Sequence, residues 1–186
     1  MDTKKLKGRR ITLIPETRQN AKLLVAWLKD KTVTSYVDHE GFGYSLKNEI
    51  ADLDFIKKYD WDELHYLIYD ENGQPVGATG LELNSFHKSG EIWILIGEKK
   101  AWGKGYGQEC IHVLGDYFFQ KLKYNRLELA VSAEFKKGIA AYKKAGFKIE
   151  GVLRKSEWDR FGKKFRDQVV MSILKEEWLN KNKLIK

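Results

Sequence analysis

Three glycines at alternate positions, Gly103, Gly105 and Gly107, separate an apolar stretch at residues 92–96 from a segment with helical apolar spacing. This order predicts a strand, a tight loop and a helix. Because glycine has no Cβ, backbone N–H groups in such a loop can converge on an anion, and the helix N-terminus adds its positive dipole end. The run therefore predicts a phosphate-binding loop, with a glycine-rich turn that binds nothing as the alternative.

The spacing of the glycines excludes two familiar phosphate loops. The dinucleotide fingerprint needs its third glycine three positions after the second, where this chain has Gln108. The nucleotide P-loop needs the tripeptide Gly-Lys-Ser/Thr, which does not occur in the sequence. The loop therefore either binds another class of phosphate ligand or serves only as a turn between strand and helix.

Length and composition predict one domain that spans residues 1–186. The chain is 42% hydrophobic, has two prolines and contains no Gly/Ser-rich linker. Residues 1–10 are basic but lack the apolar core of a secretory signal, and no apolar run approaches the roughly 20 residues that span a bilayer. A single cysteine, Cys110, cannot form an internal disulfide, so we expect a cytoplasmic protein in which Cys110 is buried on a helix.

The formal net charge of +8 is compatible with nucleic acid, with a ligand that carries several phosphates, or with a solvated lysine-rich surface. No recognised RNA-binding aromatic motif accompanies the charge. We therefore expect neither a nucleic-acid partner nor a membrane partner, and we keep a basic RNA-binding domain only as a remote alternative.

Apolar periodicity and turn signals predict a mixed α/β sheet with the glycine loop at its centre. Asn72-Gly73 is a strong hairpin signal and joins two of the strands. The predicted elements, in chain order, are a strand at 10–15, helices at 17–29 and 45–57, antiparallel strands at 64–69, 75–83 and 91–96, a helix after the glycine loop, a strand at 126–131, a helix at 136–145, strands at 147–154 and 164–174, and a charged helical tail.

Two segments in this order resemble the GNAT superfamily of acetyl-CoA-dependent N-acetyltransferases. They are residues 96–107, Ile-Gly-Glu-Lys-Lys-Ala-Trp-Gly-Lys-Gly-Tyr-Gly, and residues 140–147, Ala-Ala-Tyr-Lys-Lys-Ala-Gly-Phe. Trp102 and the late strand at 167–174 are similar to the branch of ribosomal-protein-alanine and spermidine N-acetyltransferases. The resemblance covers residues 6–178. It implies an α/β fold of the α+β type, with a mostly antiparallel twisted sheet of about seven strands and about four helices, splayed in the middle to take CoA.

The resemblance also implies acetyl-CoA as the acyl donor, with no metal. The backbone of the glycine loop would hold the CoA pyrophosphate, and Lys104 would add a point charge. The pantetheine arm would pair with the open edge of the strand at 91–97, where an N–H near Leu95 would polarise the thioester carbonyl. The cofactor-binding residues implied are Leu95, Ile96, Gly97, Trp102, Gly103, Lys104, Gly105, Tyr106, Gly107, Gln108, Phe135 and Tyr142.

Tyr142 takes the role of general acid that protonates the departing CoA thiolate, for which a phenol is suited. Phe135 departs from the family, which usually has Asn seven residues before the tyrosine, and Gly138 stands where alanine is common. Most cofactor contacts in this family are made by backbone, so CoA binding need not fail. The departure nevertheless leaves open a second function class, a GNAT-like module that binds CoA without catalysis.

The acceptor amine must be neutral to attack the thioester, so a general base is expected. An alkyl amine with a pKa near 10.4 costs roughly 4.6 kcal/mol to deprotonate at pH 7, whereas a peptide α-amine costs roughly 1.1 kcal/mol. Glu91 is the first candidate for this base and Glu82 the second. Solvated carboxylates without a catalytic role are the alternative for both.

Tyr36, Asp38, His39 and Trp158 are the candidate acceptor-binding residues, because aromatic walls with carboxylates suit a cation. Asp159 is a further candidate anchor for an ammonium group. The expected reaction is direct attack of a primary amine on acetyl-CoA in a ternary complex. A peptide N-terminus, a polyamine, an antibiotic and a small amine all remain possible acceptors, and a homodimer through the C-terminal strands is plausible.

Overall fold

The computed structural model describes residues 4–36, 44–59, 62–159 and 161–183. Eight strands form one sheet in the order β1-β2-β3-β4-β5-β6-β8-β7, and five α-helices accompany it. The strands are β1 (Leu6–Lys7), β2 (Thr12–Pro15), β3 (Glu63–Tyr69), β4 (Pro75–Asn84), β5 (Ser89–Leu95), β6 (Arg126–Ser132), β7 (Lys148–Asp159) and β8 (Lys164–Leu174). The helices are α1 (Lys22–Leu28), α2 (Leu46–Tyr59), α3 (Tyr106–Asp116), α4 (Lys136–Ala145) and α5 (Lys175–Lys183).

The sheet is antiparallel except where β5 runs parallel to β6. These two strands pair only at Ser89 with Arg126, Gly90 with Leu127 and Glu91 with Glu128. Beyond Glu91 and Glu128 the two strands have no paired residues, so a gap opens between them. The splayed, mostly antiparallel mixed sheet expected from the resemblance is therefore confirmed.

The two faces of the sheet bury different helices. Residues Ile92 and Leu81 point to one face, where Ile111 and Phe118 belong to the same large apolar cluster; we call this the α3 face. Leu67 and Leu95 point to the other face and pack with residues of α1, and we call this the α1 face. The alternation predicted for the strand at 91–96 is confirmed, since Ile92 joins one cluster and Leu95 the other.

Local signals correctly placed several element boundaries. The Ser45 hydroxyl accepts the Asn48 N–H at 3.3 Å, which caps the start of α2. Gly146 ends α4 with a φ of 109°, and its N–H bonds to carbonyls of the last helical turn. Gly73 turns the β3–β4 hairpin with a φ of 73°. Helix α1 begins at Lys22, five residues later than the expected start at residue 17, because residues 17–20 form a turn closed by the Ala21 N–H on the Thr17 carbonyl.

Two strands differ from the prediction. The two-residue strand β1 was not predicted, because so short a segment has no periodicity. Strand β7 extends to Asp159 rather than to residue 154, because pairing with β8 resumes after an irregularity between Leu153 and Glu157. The sheet thus has eight strands rather than about seven. Within the described ranges, no helix combines the length and the apolar character that crossing a membrane would need.

Candidate functional site

The glycine loop connects the end of β5 to the start of α3. Gly103 and Gly105 have φ angles of +76° and +84°, a conformation that side chains rarely adopt. Gly107 lies in the first turn of α3 and does not have a positive φ. A Cβ added at Gly107 would lie 3.9 Å from its nearest neighbour, the Ile96 side chain. The fold therefore requires the first two glycines but not the third. Space beside Gly107 leaves the N-terminal amides of α3 open to an approaching phosphate.

Arg10 fixes the loop from the neighbouring β1–β2 hairpin. Its guanidinium donates to the Lys104 carbonyl at 2.9 Å and to the Glu109 carboxylate at 3.0 Å. Glu109 also accepts the backbone N–H groups of Arg10 and Ile11. The Arg10 guanidinium lies over the Tyr106 ring, whose hydroxyl donates to Glu71 at 2.9 Å. Nothing in the sequence pattern marked Arg10 or Glu109, because both act across about a hundred residues.

Two tryptophans hold the end of β5 against the loop. The Trp102 indole N–H donates to the Ile96 carbonyl at 2.7 Å. Trp27 of α1 packs directly on Gly97, where a Cβ would overlap the indole ring, and its N–H donates to Glu98 at 2.8 Å. Of the predicted cofactor residues, Gln108 lies on α3 with its amide 3.4 Å from the His112 ring. The rigid loop, its left-handed glycines and the open helix end fit a pyrophosphate held by backbone.

Tyr142 and Glu91 approach the gap between β5 and β6 from opposite faces of the sheet. Tyr142 lies on α4 and packs against the α3-face cluster, whereas Glu91 points to the α1 face. Burial raises the pKa of the Tyr142 phenol, and the nearby Cys110 and Glu91 raise it further. The phenol therefore keeps its proton at neutral pH. Cys110 itself is fully buried on α3, as predicted, and burial raises the pKa of its thiol to about 12.

Phe135 and Gly138 form a matched pair. The Phe135 ring lies over Gly138, where an added Cβ would stand 2.5 Å from the ring carbon Cε1. The ring also stacks on Tyr36, with centroids 5.1 Å apart and planes inclined by 9°. The two departures from the family are thus one structural feature, because the missing methyl group at Gly138 makes room for the ring. This contact also joins a predicted cofactor residue to a predicted acceptor residue.

Four glutamates line up across four neighbouring strands on the α1 face. Glu63 is paired with Glu82, Glu82 with Glu91, and Glu91 with Glu128. We call them the glutamate row. Like charges directly opposite one another destabilise a sheet. The row ends at the apex of the gap, since Glu91 and Glu128 are the last pair before β5 and β6 separate.

The two end glutamates of the row each contact a basic side chain, whereas the two middle glutamates have no ion pair among the described residues. Glu128 accepts a hydrogen bond from Arg126 at 2.8 Å, and Glu63 lies 3.1 Å from the His65 ring nitrogen Nε2. Glu82 and Glu91 have no ion-pair partner among the residues that the structure describes. Burial and then the charge of Glu63 raise the pKa of Glu82, with His65 opposing. Burial, then Glu82 and Glu128, raise the pKa of Glu91, and a hydrogen bond from the Ala130 amide opposes this.

Tyr36 and Trp158 do not share a pocket. Arg166 donates to the Ser35 carbonyl at 2.8 Å, forms a buried ion pair with Glu157 and lies over the Tyr36 ring. Trp158 is the next residue after Glu157 and so points to the opposite face of the β7–β8 hairpin, where it is 48% exposed beside Phe165. The expectation of one pocket for both rings is corrected by this alternation.

The remaining acceptor predictions have separate outcomes. Asp159 is not a free anchor for an ammonium group, because its carboxylate accepts the N–H groups of Phe161 and Gly162 at 3.0 and 2.9 Å. Asp38 and His39 lie outside the described residues. The glutamates at the two ends of the row, Glu63 and Glu128, were not predicted, since only the strand register brings them beside Glu82 and Glu91.

Comparison with known proteins gives a consistent result. A family model described as an acetyltransferase (GNAT) domain matches residues 10–148. The uncharacterized N-acetyltransferase p20 of Bacillus licheniformis is 26% identical over 172 residues, which cover 91% of this chain and 95% of the relative. Spermidine N(1)-acetyltransferase of Escherichia coli K12 is 29% identical over 136 residues, which cover 73% and 71%. The crystal structure of spermidine N-acetyltransferase from Vibrio cholerae in complex with CoA and spermine matches with a TM-score of 0.82 at 25% identity, covering 91% of this chain and 98% of that chain. On these grounds the chain belongs to the GNAT family of acetyltransferases, with acetyl-CoA as its acyl donor and an amine as its acceptor.

Proposed function

We propose that this protein acetylates a primary amine of a polyamine. The observation that carries the proposal is the glutamate row, in which Glu91 lies at the apex of the gap between β5 and β6 and Glu82 lies beside it on β4, both without an ion pair among the described residues. A row of carboxylates about 4.8 Å apart, the spacing of neighbouring strands, suits ammonium groups repeated along a flexible alkyl chain. Two similar proteins are spermidine N-acetyltransferases, and one of them forms a complex with CoA and with spermine, a ligand of this kind on the amine side.

Glu91 serves as the general base in this proposal, with Glu82 as the second carboxylate that holds the ammonium group. An alkyl ammonium costs roughly 4.6 kcal/mol to deprotonate at pH 7, and the raised pKa of Glu91 brings its basicity closer to that of the amine. Tyr142, on the other side of the gap, donates its proton to the departing thiolate. The amine nitrogen thus loses a proton to Glu91, and the sulfur gains one from Tyr142.

The donor side of the proposal rests on backbone. Amides of the glycine loop, from Trp102 to Gln108, bind the pyrophosphate, and the unpaired edge of β5 near Leu95 receives the pantetheine arm. The Phe135 ring takes the place of the amide usual in the family and contributes stacking area rather than a hydrogen bond. We extend the proposal to one acetyltransferase domain over residues 1–186, because every described strand joins one sheet.

The test is an acetylation assay that follows free thiol with spermidine, a peptide with a free N-terminus, an aminoglycoside and a simple alkyl amine. Spermidine should give the highest kcat/KM. Glu82→Gln should raise the KM for spermidine more than tenfold and change the KM for the alkyl amine less, with the exposed Glu176→Gln as the matched control. A preference for the peptide would refute the polyamine assignment while leaving acetyl transfer intact. Failure with every amine would refute catalysis.

A second candidate, a module that binds CoA without catalysis, is favoured by the Phe135 ring where a polar residue is usual. Tyr142→Phe separates the two candidates. An acetyltransferase should lose roughly 10²- to 10⁴-fold in kcat with CoA affinity unchanged. A binding module has no turnover to lose in either form.

We also propose that the protein is a cytoplasmic homodimer. Strand β7 is an edge of the sheet, and large apolar side chains are exposed along the β7–β8 hairpin: Ile149, Val152, Leu153, Trp158 and Phe165. A long apolar edge of this kind is an association surface. Light scattering after size exclusion should give twice the chain mass, and Val152→Lys should give the monomer. The free, buried Cys110 supports a reducing compartment.

A further inference from the structure

Two glutamates and a histidine from three separate elements meet beside the glutamate row. Glu16 directly follows β2, Glu49 lies in the first turn of α2, and His65 lies in β3. One carboxylate oxygen from each glutamate and one ring nitrogen of His65 all lie within 4.8 Å of one another. The cluster contacts the glutamate row through the His65–Glu63 contact, but Glu16 and Glu49 have no role in the acetyl transfer proposed above.

The Glu16 and His65 donor atoms of this cluster are buried without hydrogen-bond partners, whereas the Glu49 carboxylate has a hydrogen bond from Tyr44. The Glu16 side chain is 0% exposed. Neither of its carboxylate oxygens, nor the His65 nitrogen Nδ1, has a hydrogen-bond partner within the part of the chain that the structure describes. Burial and then the charge of Glu49 raise the pKa of Glu16 to about 8, with His65 opposing. Among the described residues Glu16 has a single ion-pair partner, the His65 ring at 3.9 Å, so positive charge beside the two buried carboxylates is sparse.

The orientation of His65 matches that of a metal ligand. Its Nε2 lies 3.1 Å from Glu63 Oε2, so the proton placed on Nε2 donates to this carboxylate. The lone pair of Nδ1 then faces Glu16, whose Oε2 is 3.9 Å away. Histidines that bind metals usually donate their other ring N–H to a carboxylate in this way, which fixes the tautomer and increases the basicity of the ligating nitrogen.

We propose that Glu16, Glu49 and His65 Nδ1 bind a divalent first-row transition-metal ion, with Zn²⁺ as the best fit. One imidazole and two carboxylates suit zinc, whereas Mg²⁺ and Ca²⁺ prefer oxygen donors alone. Ligands on a tetrahedral zinc ion lie about 3.3 Å apart, as follows from Zn–N and Zn–O bonds of about 2.0 Å. The 3.9 Å separation of Nδ1 and Oε2, and the 4.8 Å within which all three donor atoms lie, therefore require a closure of about 0.6 to 1.5 Å on metal binding. The bound ion would tie α2 to β2 and β3.

The test is calorimetric titration of the metal-free protein with ZnCl₂ alone, and in parallel with MgCl₂. We expect one Zn²⁺ per chain, a rise in Tm, and at least 100-fold weaker binding of Mg²⁺. Glu16→Gln and Glu49→Gln should each weaken Zn²⁺ binding at least 100-fold, and the exposed Glu176→Gln should not. Glu63→Ala, which removes the carboxylate that orients His65, should weaken it about 10- to 100-fold.

No Zn²⁺ binding by the wild type, or binding unchanged in a folded Glu16→Gln protein, would overturn the proposal. Circular dichroism decides whether each variant is folded. Should the Gln variants not fold, X-ray absorption of the zinc-loaded wild type still decides. One imidazole with oxygen ligands supports the site, whereas sulfur or several imidazoles overturns it.

Discussion

Gly138 and Phe135 allow one prediction to be worked through from the structure. In Gly138→Ala the new Cβ would stand 2.5 Å from Phe135 Cε1, whereas ordinary contact begins at 3.4 Å. The nearest ring atom, Cδ1, must therefore move by about 1 Å, and the ring is also held in a stack with Tyr36. The loss of stability in Gly138→Ala should therefore come from the aromatic stack and not from the helix itself.

The two contributions to Gly138→Ala have opposite signs. Replacing glycine by alanine inside a helix stabilises it by roughly 0.8–1.0 kcal/mol, and overpacking a buried site costs roughly 1–3 kcal/mol. The wild type should therefore lose up to about 2 kcal/mol. In a Phe135→Ala background the ring is absent, and the same change should stabilise the protein by about 0.5–1 kcal/mol. The coupling between the two sites is then about 1–3 kcal/mol.

Urea denaturation of the four proteins of this double-mutant cycle measures the coupling as free energies of unfolding. Ala140→Gly, at an exposed position of the same helix, is the control and should cost about 1 kcal/mol in both backgrounds. If Gly138→Ala changes stability equally in both backgrounds, within about 0.5 kcal/mol, the matched-pair explanation is refuted.

Three further predictions follow from the loop, the proposed base and the buried cluster. Gly107→Ala should leave Tm unchanged yet weaken CoA binding about tenfold or more by calorimetry. Gly105→Ala should lower both Tm and CoA affinity, because Gly105, unlike Gly107, has a positive φ. Equal effects of the two substitutions on Tm would contradict this. The acidic limb of the kcat/KM profile should lie above the ordinary Glu range, because the pKa of Glu91 is raised, and it should vanish in Glu91→Gln together with roughly 10²- to 10⁴-fold of activity; a limb that persists would exclude Glu91 as the base. The pKa of Glu16 is raised from 4.5 to about 8, so between these pH values Glu16 is ionised in the unfolded chain and protonated in the native protein. The free energy of unfolding, measured in EDTA, should therefore fall as pH rises from about 4.5 to 8, and it should fall less steeply in Glu16→Gln. Parallel slopes for the two proteins would contradict the pKa shift.

Much of the fold could be predicted from the sequence because it depends on interactions between residues close together in the chain. The Asn72-Gly73 turn, the Ser45 cap and the Gly146 helix end each depend on hydrogen bonds among residues a few positions apart. The glycine loop is of the same kind, since the positive φ angles at Gly103 and Gly105 need no distant partner.

Other features could not be predicted from the sequence because they depend on contacts between residues far apart in the chain. Arg10 holds the loop from 94 residues away, and the paired positions Glu63 and Glu82 become neighbours only through strand register. A shift of one residue in that register would move one of the two side chains to the other face of the sheet. The separation of Tyr36 from Trp158 likewise follows from alternation in a β7 strand that was predicted too short.

The sequence by itself determined the donor side of this protein, because the glycine loop and the Tyr142 segment are continuous stretches whose chemistry is carried by backbone and by one phenol. Only the tertiary structure decided the acceptor side. The glutamate row, the Phe135 stack and the Glu16 cluster each combine side chains from different elements, and their charges act together only once the strands and α2 have packed.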